Sequence, residues 1–208
     1  MDILYQDTRI VVAVKPAGVV STDEPGGMPE LLRAHLHTDC IRTVHRLDAQ
    51  VAGVMVFARS RMAAALLSRQ VRERQFSKCY LAVVHGVPQP QSGEMRDLLG
   101  RDSLRRVTYV ADTPSAETRE ALLSYETLGT VDGLSLVRVQ LHTGRTHQIR
   151  VQFSSRGLPL LGDIRYGSKA DCSPALWSTR LALTHPVTGK PIDVACPPPD
   201  AWPWNLFA

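Results

Sequence analysis

Short apolar runs alternate along this chain with polar breaks marked by glycine or proline. Residues 10–14 are β-branched or small and end at Lys15-Pro16-Ala17-Gly18, the pattern of a strand running into a turn. Pro25-Gly26-Gly27 reads as a loop. Leu31, Leu32 and Leu36 give residues 28–36 helical spacing, with Pro29 near the start, where a missing N–H costs nothing. Residues 53–57 are apolar on both faces, as in a central strand. Ser60 predicts the cap of a helix running to about Arg74, with Ala63, Leu66, Leu67, Gln70 and Val71 opposite a basic face. Residues 78–85 alternate, which predicts a strand with Tyr80, Ala82 and Val84 on one side.

Further on, two prolines and two glycines make residues 87–103 read as a long loop. Strands are expected at roughly 105–110, 117–127 and 134–141. Thr146 predicts the cap of a helix that ends before Gly157. Residues 180–184 and 191–195 flank Pro186-Val187-Thr188-Gly189-Lys190 as a hairpin-like pair. Strands outnumber helices, so the expected fold is α+β: a mixed, largely antiparallel sheet with flanking helices. With 208 residues and ordinary apolar content, the expectation is one domain spanning 1–208.

Composition adds a basic bias. The net charge is only +4, but the 24 basic residues are 20 Arg and 4 Lys. Arginine suits bidentate phosphate contacts and stacking on bases, while codon usage in a GC-rich gene produces the same bias. Residues 59–78 hold Arg59, Arg61, Arg69, Arg72, Arg74 and Lys78 against Glu73 alone. Such a segment can track phosphates or be a plain solvated helix face. Cys40, Cys79, Cys172 and Cys196 form no CxxC pair, the opening residues do not read as a signal peptide, and no apolar run reaches bilayer length. A cytoplasmic protein with reduced thiols is expected.

Two segments carry the candidate chemistry. His45-Arg46-Leu47-Asp48 sets a carboxylate among basic residues. His142-Thr143-Gly144-Arg145-Thr146-His147-Gln148-Ile149-Arg150 sets arginines and hydroxyls before a helix start, a place that favours anions. Asp48 can serve as nucleophile or base if it stays ionised, and an arginine such as Arg150 would keep it so. Read alone, Asp48 is equally a cap or a structural ion-pair member. On the expected helix, His147 and Arg150 share a face. Arg46 can reach a phosphate or fill the gap left by an extruded base, and Tyr80 can stack on a base or pack in the core. His45, His142 and His147 lack zinc spacing, and no GxSxG elbow is present.

Taken together these segments resemble the RluA-type pseudouridine synthases over nearly the whole chain. The likeness rests on residues 10–18 with their Lys-Pro-Ala-Gly turn, His45-Arg46-Leu47-Asp48, residues 78–86 around Tyr80, and residues 141–150. It also rests on Gly162-Asp163-Ile164-Arg165-Tyr166-Gly167 and His185-Pro186-Val187-Thr188-Gly189-Lys190. The resemblance implies an enzyme that detaches a flipped-out uracil at nitrogen-1 and rejoins it through carbon-5, without cofactor or metal. It makes Asp48 the catalytic carboxylate, acting at the sugar, at the base, or on the proton of the 2′ carbon. Tyr80 would stack on the uracil and help remove the carbon-5 proton, and Arg150 would pair with Asp48. Arg46 would help flip the nucleotide, with His45, Arg145, Thr146 and His147 as substrate-binding residues. The implied partner is structured RNA, a stem-loop of rRNA or tRNA, bound by a monomer away from membranes. The small N-terminal RNA-binding domain of many relatives is not in evidence, so recognition is expected from the catalytic face.

Two departures bear on this. Val51-Ala52-Gly53 stands where the family carries Thr-Ser-Gly, so hydrogen bonds bracing the Asp48 loop are expected to give way to packing. Gln152 replaces a usual His, with small effect expected. The rival expectation is a non-catalytic RNA-binding protein that keeps the fold. A third, a His/Asp hydrolase of small phosphorylated esters, lacks a nucleophile or metal motif.

Overall fold

The computed structural model describes all residues, Met1–Ala208. Strands β1 Ile3–Gln6 and β2 Ile10–Lys15 precede helix α1 Met28–Leu36. Then come β3 Arg42–Thr43, β4 Ala52–Ala58, α2 Arg61–Arg72 and β5 Ser77–His85. Four more strands follow: β6 Ser92–Asp102, β7 Val107–Ala111, β8 Arg119–Val131 and β9 Leu134–Leu141. Helix α3 Gln148–Ser154 leads to β10 Leu176–Thr184 and β11 Pro191–Ala195. The fold is α+β, as expected. It comprises two compact units, one of Met1–Lys78 with Ser178–Pro197 and the other of Cys79–Trp177 with Pro198–Ala208.

In the first unit β2 pairs antiparallel with β1 and with β4, and β3 pairs with the end of β4. Thr184 opposite Pro191 closes the expected hairpin between β10 and β11. Alternate residues of the strands, Ile10, Val12, Val54, Val56, Leu181 and Leu183, meet Ala63 and Leu67 of α2 and the Phe76 ring. The intervening residues Val11, Ala13, Met55 and Phe57 are also fully buried. Both faces of β2 and β4 are therefore covered, which is why residues 53–57 read as continuously apolar. Ser60 caps α2 as expected, its Oγ accepting from the Ala63 amide at 3.1 Å. Leu67 sits at the centre of this packing; Leu67→Ala would cost about 2–5 kcal/mol.

In the second unit β8 pairs antiparallel with β6 and β9, and β6 with β7. Strand β6 corrects the expected loop at residues 87–103. Its Gly100 is not a turn signal but space for an aromatic ring on the neighbouring strand. Gly100 lies opposite Tyr109, and a Cβ there would sit 2.5 Å from the ring; Gly93 lies opposite Tyr125. Helix α3 is also shorter than expected. Its N-cap is His147 in the left-handed conformation (φ 54°), with no side-chain cap, so Thr146 does not start it.

Candidate active site

The segment that carries Asp48 leaves β3 and returns into β4. Asp48 is half-buried, Arg46 is exposed, and the Leu47 side chain between them is buried. The strand–turn residue Lys15 is fully buried beneath this loop. Its Nζ donates to the carbonyls of Pro16 at 2.8 Å, Val19 at 2.6 Å and Ala49 at 2.9 Å. An ammonium has three donors, and three carbonyls use them all. Burial pushes the pKa of Lys15 down to about 8, a fall opposed by the nearby charge of Asp48. The cation thus ties the opening turn to the residue after Asp48.

A second clasp comes from Ser21. Its Oγ donates to the Leu47 carbonyl at 2.7 Å and accepts from the Leu47 amide at 3.1 Å. Thr43 Oγ1 donates to the Ser21 carbonyl, which ties the end of β3 to the same segment. The Val51 amide donates to the Asp48 carbonyl at 3.0 Å, closing a turn. Val51 and Ala52 are buried. Packing does occupy their place, as expected, but hydrogen bonds brace the loop as well, from Lys15 and Ser21. Gly53 (φ 121°) admits no side chain, because a Cβ would fall 2.3 Å from the Ser178 carbonyl.

His45 is 7 % exposed. Its Nε2 accepts from the Val56 amide at 3.1 Å, and its ring meets Phe76 edge-on. Burial, with a smaller contribution from the Lys78 charge, holds its pKa well below the usual histidine range, so the ring is neutral. His45 therefore ties the Asp48 segment to β4 and to the chain after α2. An open polar cavity of about 340 Å³ lies elsewhere in this unit, walled by Thr22, Asp23, Arg33 and Arg42, and none of the predicted site residues lines it.

Among the second unit's candidates, Tyr80 is 5 % exposed and lies midway along β5. Arg150 is buried on α3 and forms a bidentate ion pair, Nε to Asp163 Oδ2 at 2.7 Å and Nη2 to Asp163 Oδ1 at 2.8 Å. Its guanidinium carbon lies 5.1 Å from the centre of the Tyr166 ring. His147 meets the same tyrosine, Nδ1 lying 2.8 Å from Tyr166 Oη. The expected shared face of His147 and Arg150 exists, and Tyr166 is what it faces. Burial raises the pKa of Tyr166, so the phenol keeps its proton.

The turn before α3 is locked by its own side chains. Gln148 Oε1 accepts from Thr143 Oγ1 at 2.8 Å and from the Arg145 amide at 3.0 Å. Thr143 Oγ1 in turn accepts from the Leu122 amide at 2.8 Å, and Arg145 Nε donates to the Glu120 carbonyl at 2.9 Å. Thr146 is exposed. Gln152 is fully buried, and its Nε2 donates to the Met95 carbonyl and to Asp97 Oδ2. The sequence alone does not single out Lys15, Ser21, Asp163 or Tyr166 as site residues. For Asp163 and Tyr166 the available signal is their setting, an Asp and a Tyr three residues apart between two glycines. The first of these, Gly162 (φ 80°), has no room for a Cβ, which would lie 2.4 Å from the Ser173 carbonyl.

A family model described as RNA pseudouridylate synthase matches residues 9–155. The chain is 33% identical over 213 residues to the uncharacterized RNA pseudouridine synthase YhcT of Bacillus subtilis, covering 96% of this chain and 69% of that protein. It is 34% identical over 217 residues to the uncharacterized RNA pseudouridine synthase Mb1567 of Mycobacterium bovis, covering 96% and 70%. Among solved structures it is similar to human RNA pseudouridylate synthase domain containing 1, with a TM-score of 0.83, 25% identity and coverage of 96% and 84%.

Proposed function

This chain belongs to the RNA pseudouridylate synthase family, and from that premise we propose that Asp48 is the carboxylate through which it isomerises uridine in RNA. The reaction breaks the bond from nitrogen-1 to the sugar, turns the uracil, and forms the bond from carbon-5. Carbon-5 loses a proton and nitrogen-1 gains one, so nothing else is consumed. A base inside a helix is out of reach, so the nucleotide must be extruded first. Exposed Arg46 fits the role of filling the gap it leaves. Tyr80 fits the role of stacking on the uracil and drawing off the carbon-5 proton, and Arg150 that of the guanidinium serving the carboxylate.

The observation that carries this reading is the bracing of the Asp48 loop by Lys15 and Ser21, which fixes a half-buried carboxylate in one place. Preorganisation of this kind lowers the barrier of a positioned reaction. The rival reading, a non-catalytic binder, draws on the missing Thr-Ser hydroxyls. Bracing from elsewhere removes its motive.

The RNA partner is a structured stem-loop of rRNA or tRNA, bound by a monomer. Helix α2 supports a backbone contact: Arg61, Arg69 and Arg72 project within roughly 80° of arc at 100° per residue. None of the three enters an ion pair. The helix leads to Phe76, which packs on His45, next to Arg46.

The test is tritium release from rRNA and tRNA transcripts labelled at carbon-5 of uridine. Wild type releases tritium; Asp48→Asn loses at least about a thousandfold in rate while RNA binding holds. An active Asp48→Asn variant refutes the assignment. Changing Arg61, Arg69 and Arg72 to Gln should lower the salt slope of binding by about one for each phosphate no longer neutralised.

A further inference from the structure

The chain holds four lysines, and two of them, Lys15 and Lys78, are drawn out of water. They differ in what answers the charge. Lys15 gives its three donors to three carbonyls and feels the charge of Asp48. Lys78, near the start of β5, is half-buried, and no carboxylate or carbonyl of the protein meets its ammonium. What surrounds it is apolar or is itself a donor. Its Nζ stands over the Phe76 ring, 5.9 Å from the centroid, and His45 meets the same ring edge-on with 5.8 Å between centroids. The Val56 amide can only donate, so His45 Nε2 accepts from it, and the neutral imidazole carries its proton on Nδ1. That buried N–H also meets no acceptor. Burial lowers the pKa of Lys78, and no negative charge opposes the fall. A cation withdrawn from water is normally paired; the protein supplies no partner for this one.

We infer that Lys78 is a phosphate-binding residue, and that its ammonium pairs with a backbone phosphate beside the uridine being isomerised. The inference rests on the proposed action on RNA and adds a contact from a residue outside the candidate set. Two links place that phosphate. Phe76 joins Lys78 to His45, and His45 is followed by the exposed Arg46, which is proposed to fill the gap left by the extruded nucleotide. The acceptor is a phosphate because RNA carries its negative charge there, whereas uracil is neutral and offers only carbonyl oxygens. A full opposite charge is what an uncompensated ammonium gains most from. Helix α2 ends at Arg72, shortly before Phe76, so Lys78 continues the run of Arg61, Arg69 and Arg72 towards the Asp48 segment along the chain.

Binding of carbon-5-labelled rRNA and tRNA transcripts is measured against salt for wild type, Lys78→Met and Lys78→Arg. Lys169→Met, at an exposed lysine, controls for the lost charge. Methionine keeps the packing on Phe76 and removes the ammonium. Lys78→Met should raise KM about tenfold to a hundredfold, the loss of a hydrogen bond between charged groups, with kcat within about twofold. Its salt slope of binding should fall by about one. Lys78→Arg should keep most of the affinity, and Lys169→Met should stay close to wild type. A Lys78→Met variant with wild-type KM and slope overturns the inference. So does one that binds weakly at an unchanged slope, because the lysine then only supports the Phe76 ring. If Lys78→Met does not fold, the native chain decides. With 13C-labelled lysine, and the Lys78 signal assigned from Lys78→Arg, adding transcript should raise the pKa of Lys78, since the phosphate brings the opposite charge. No rise overturns the inference. A wild type that releases no tritium from any transcript would count against the proposed function instead, because the salt slope and the lysine titration report on Lys78 without turnover.

Discussion

The Asp48 loop and the turn before α3 are both held tightly, but only the second also relies on pairs of side chains. Around Asp48 the holding groups grip main chain: Lys15 takes three carbonyls, and Ser21 takes both polar groups of the Leu47 backbone. Around α3 the grip includes pairs of side chains, Arg150 with Asp163, His147 with Tyr166, and Thr143 with Gln148, beside main-chain bonds from Thr143, Arg145 and Gln148. A grip on peptide groups does not depend on which side chains the loop carries. This explains how Val51 and Ala52 can stand where the family resemblance leads one to expect hydroxyls without freeing the Asp48 loop. A grip between side chains tolerates far less, since losing one member strands the other.

The Arg150–Asp163 pair tests this most strongly. Both groups are buried, and removing either one breaks the bidentate pair that offsets their desolvation. Arg150→Leu or Asp163→Leu should each cost about 3–5 kcal/mol in urea unfolding, whereas replacing both together should recover much of that loss. The double variant is the informative one, because it restores folding without restoring the guanidinium. It should remain inactive in tritium release. An active double variant would show that Arg150 serves the fold and not the chemistry.

Lys15 should give an intermediate effect with a distinctive dependence on pH. Lys15→Met leaves buried carbonyls without a donor, at about 1–3 kcal/mol, and loosens Asp48. In the native chain Lys15 titrates near 8 instead of 10.5. Between those values the unfolded chain binds more protons, so this group's contribution to stability grows as pH rises. Activity should move the other way, falling as pH rises through about 8, because the bracing cation is lost. The two trends diverge in one pH window. Rate profiles and urea midpoints measured side by side check this, and the falling limb should vanish in Lys15→Met. A limb that persists there belongs to another group.

What the sequence discloses divides along the same line. Helix α1, the Ser60 cap and the alternation of β5 follow from neighbours within a turn or two, and all three stand in the structure. The family and the α+β fold follow from motifs in order. Asp48 stands out in the sequence as a candidate, but the residues that brace its loop do not. Ser21 lies 26 residues from Leu47, and Lys15 lies 34 from Ala49, so nothing local marks either contact. Strand β6 hides for the same reason. Gly93 and Gly100 break a strand by local preference, yet both pair within the sheet, and Gly100 makes room for Tyr109 across it. Tyr166 reads from sequence as one more aromatic, and only the fold shows that it meets His147 and Arg150 together.

The smallest effect separates two threonines three residues apart. Local pattern makes Thr146 the cap of α3, and an N-cap threonine is worth about 1 kcal/mol. In the structure Thr146 is exposed and makes no capping bond, while Thr143 is buried and bonds both Gln148 and the Leu122 amide. Thr146→Ala should therefore shift the urea midpoint by no more than about 0.5 kcal/mol equivalent. Thr143→Val keeps the shape but strands the Leu122 amide and frees Gln148, at about 1–3 kcal/mol. The ordering of the two matters more than either value. If Thr146→Ala proves the costlier, the turn is held from its helix end, and the side-chain lock built on Thr143 and Gln148 is not what fixes it.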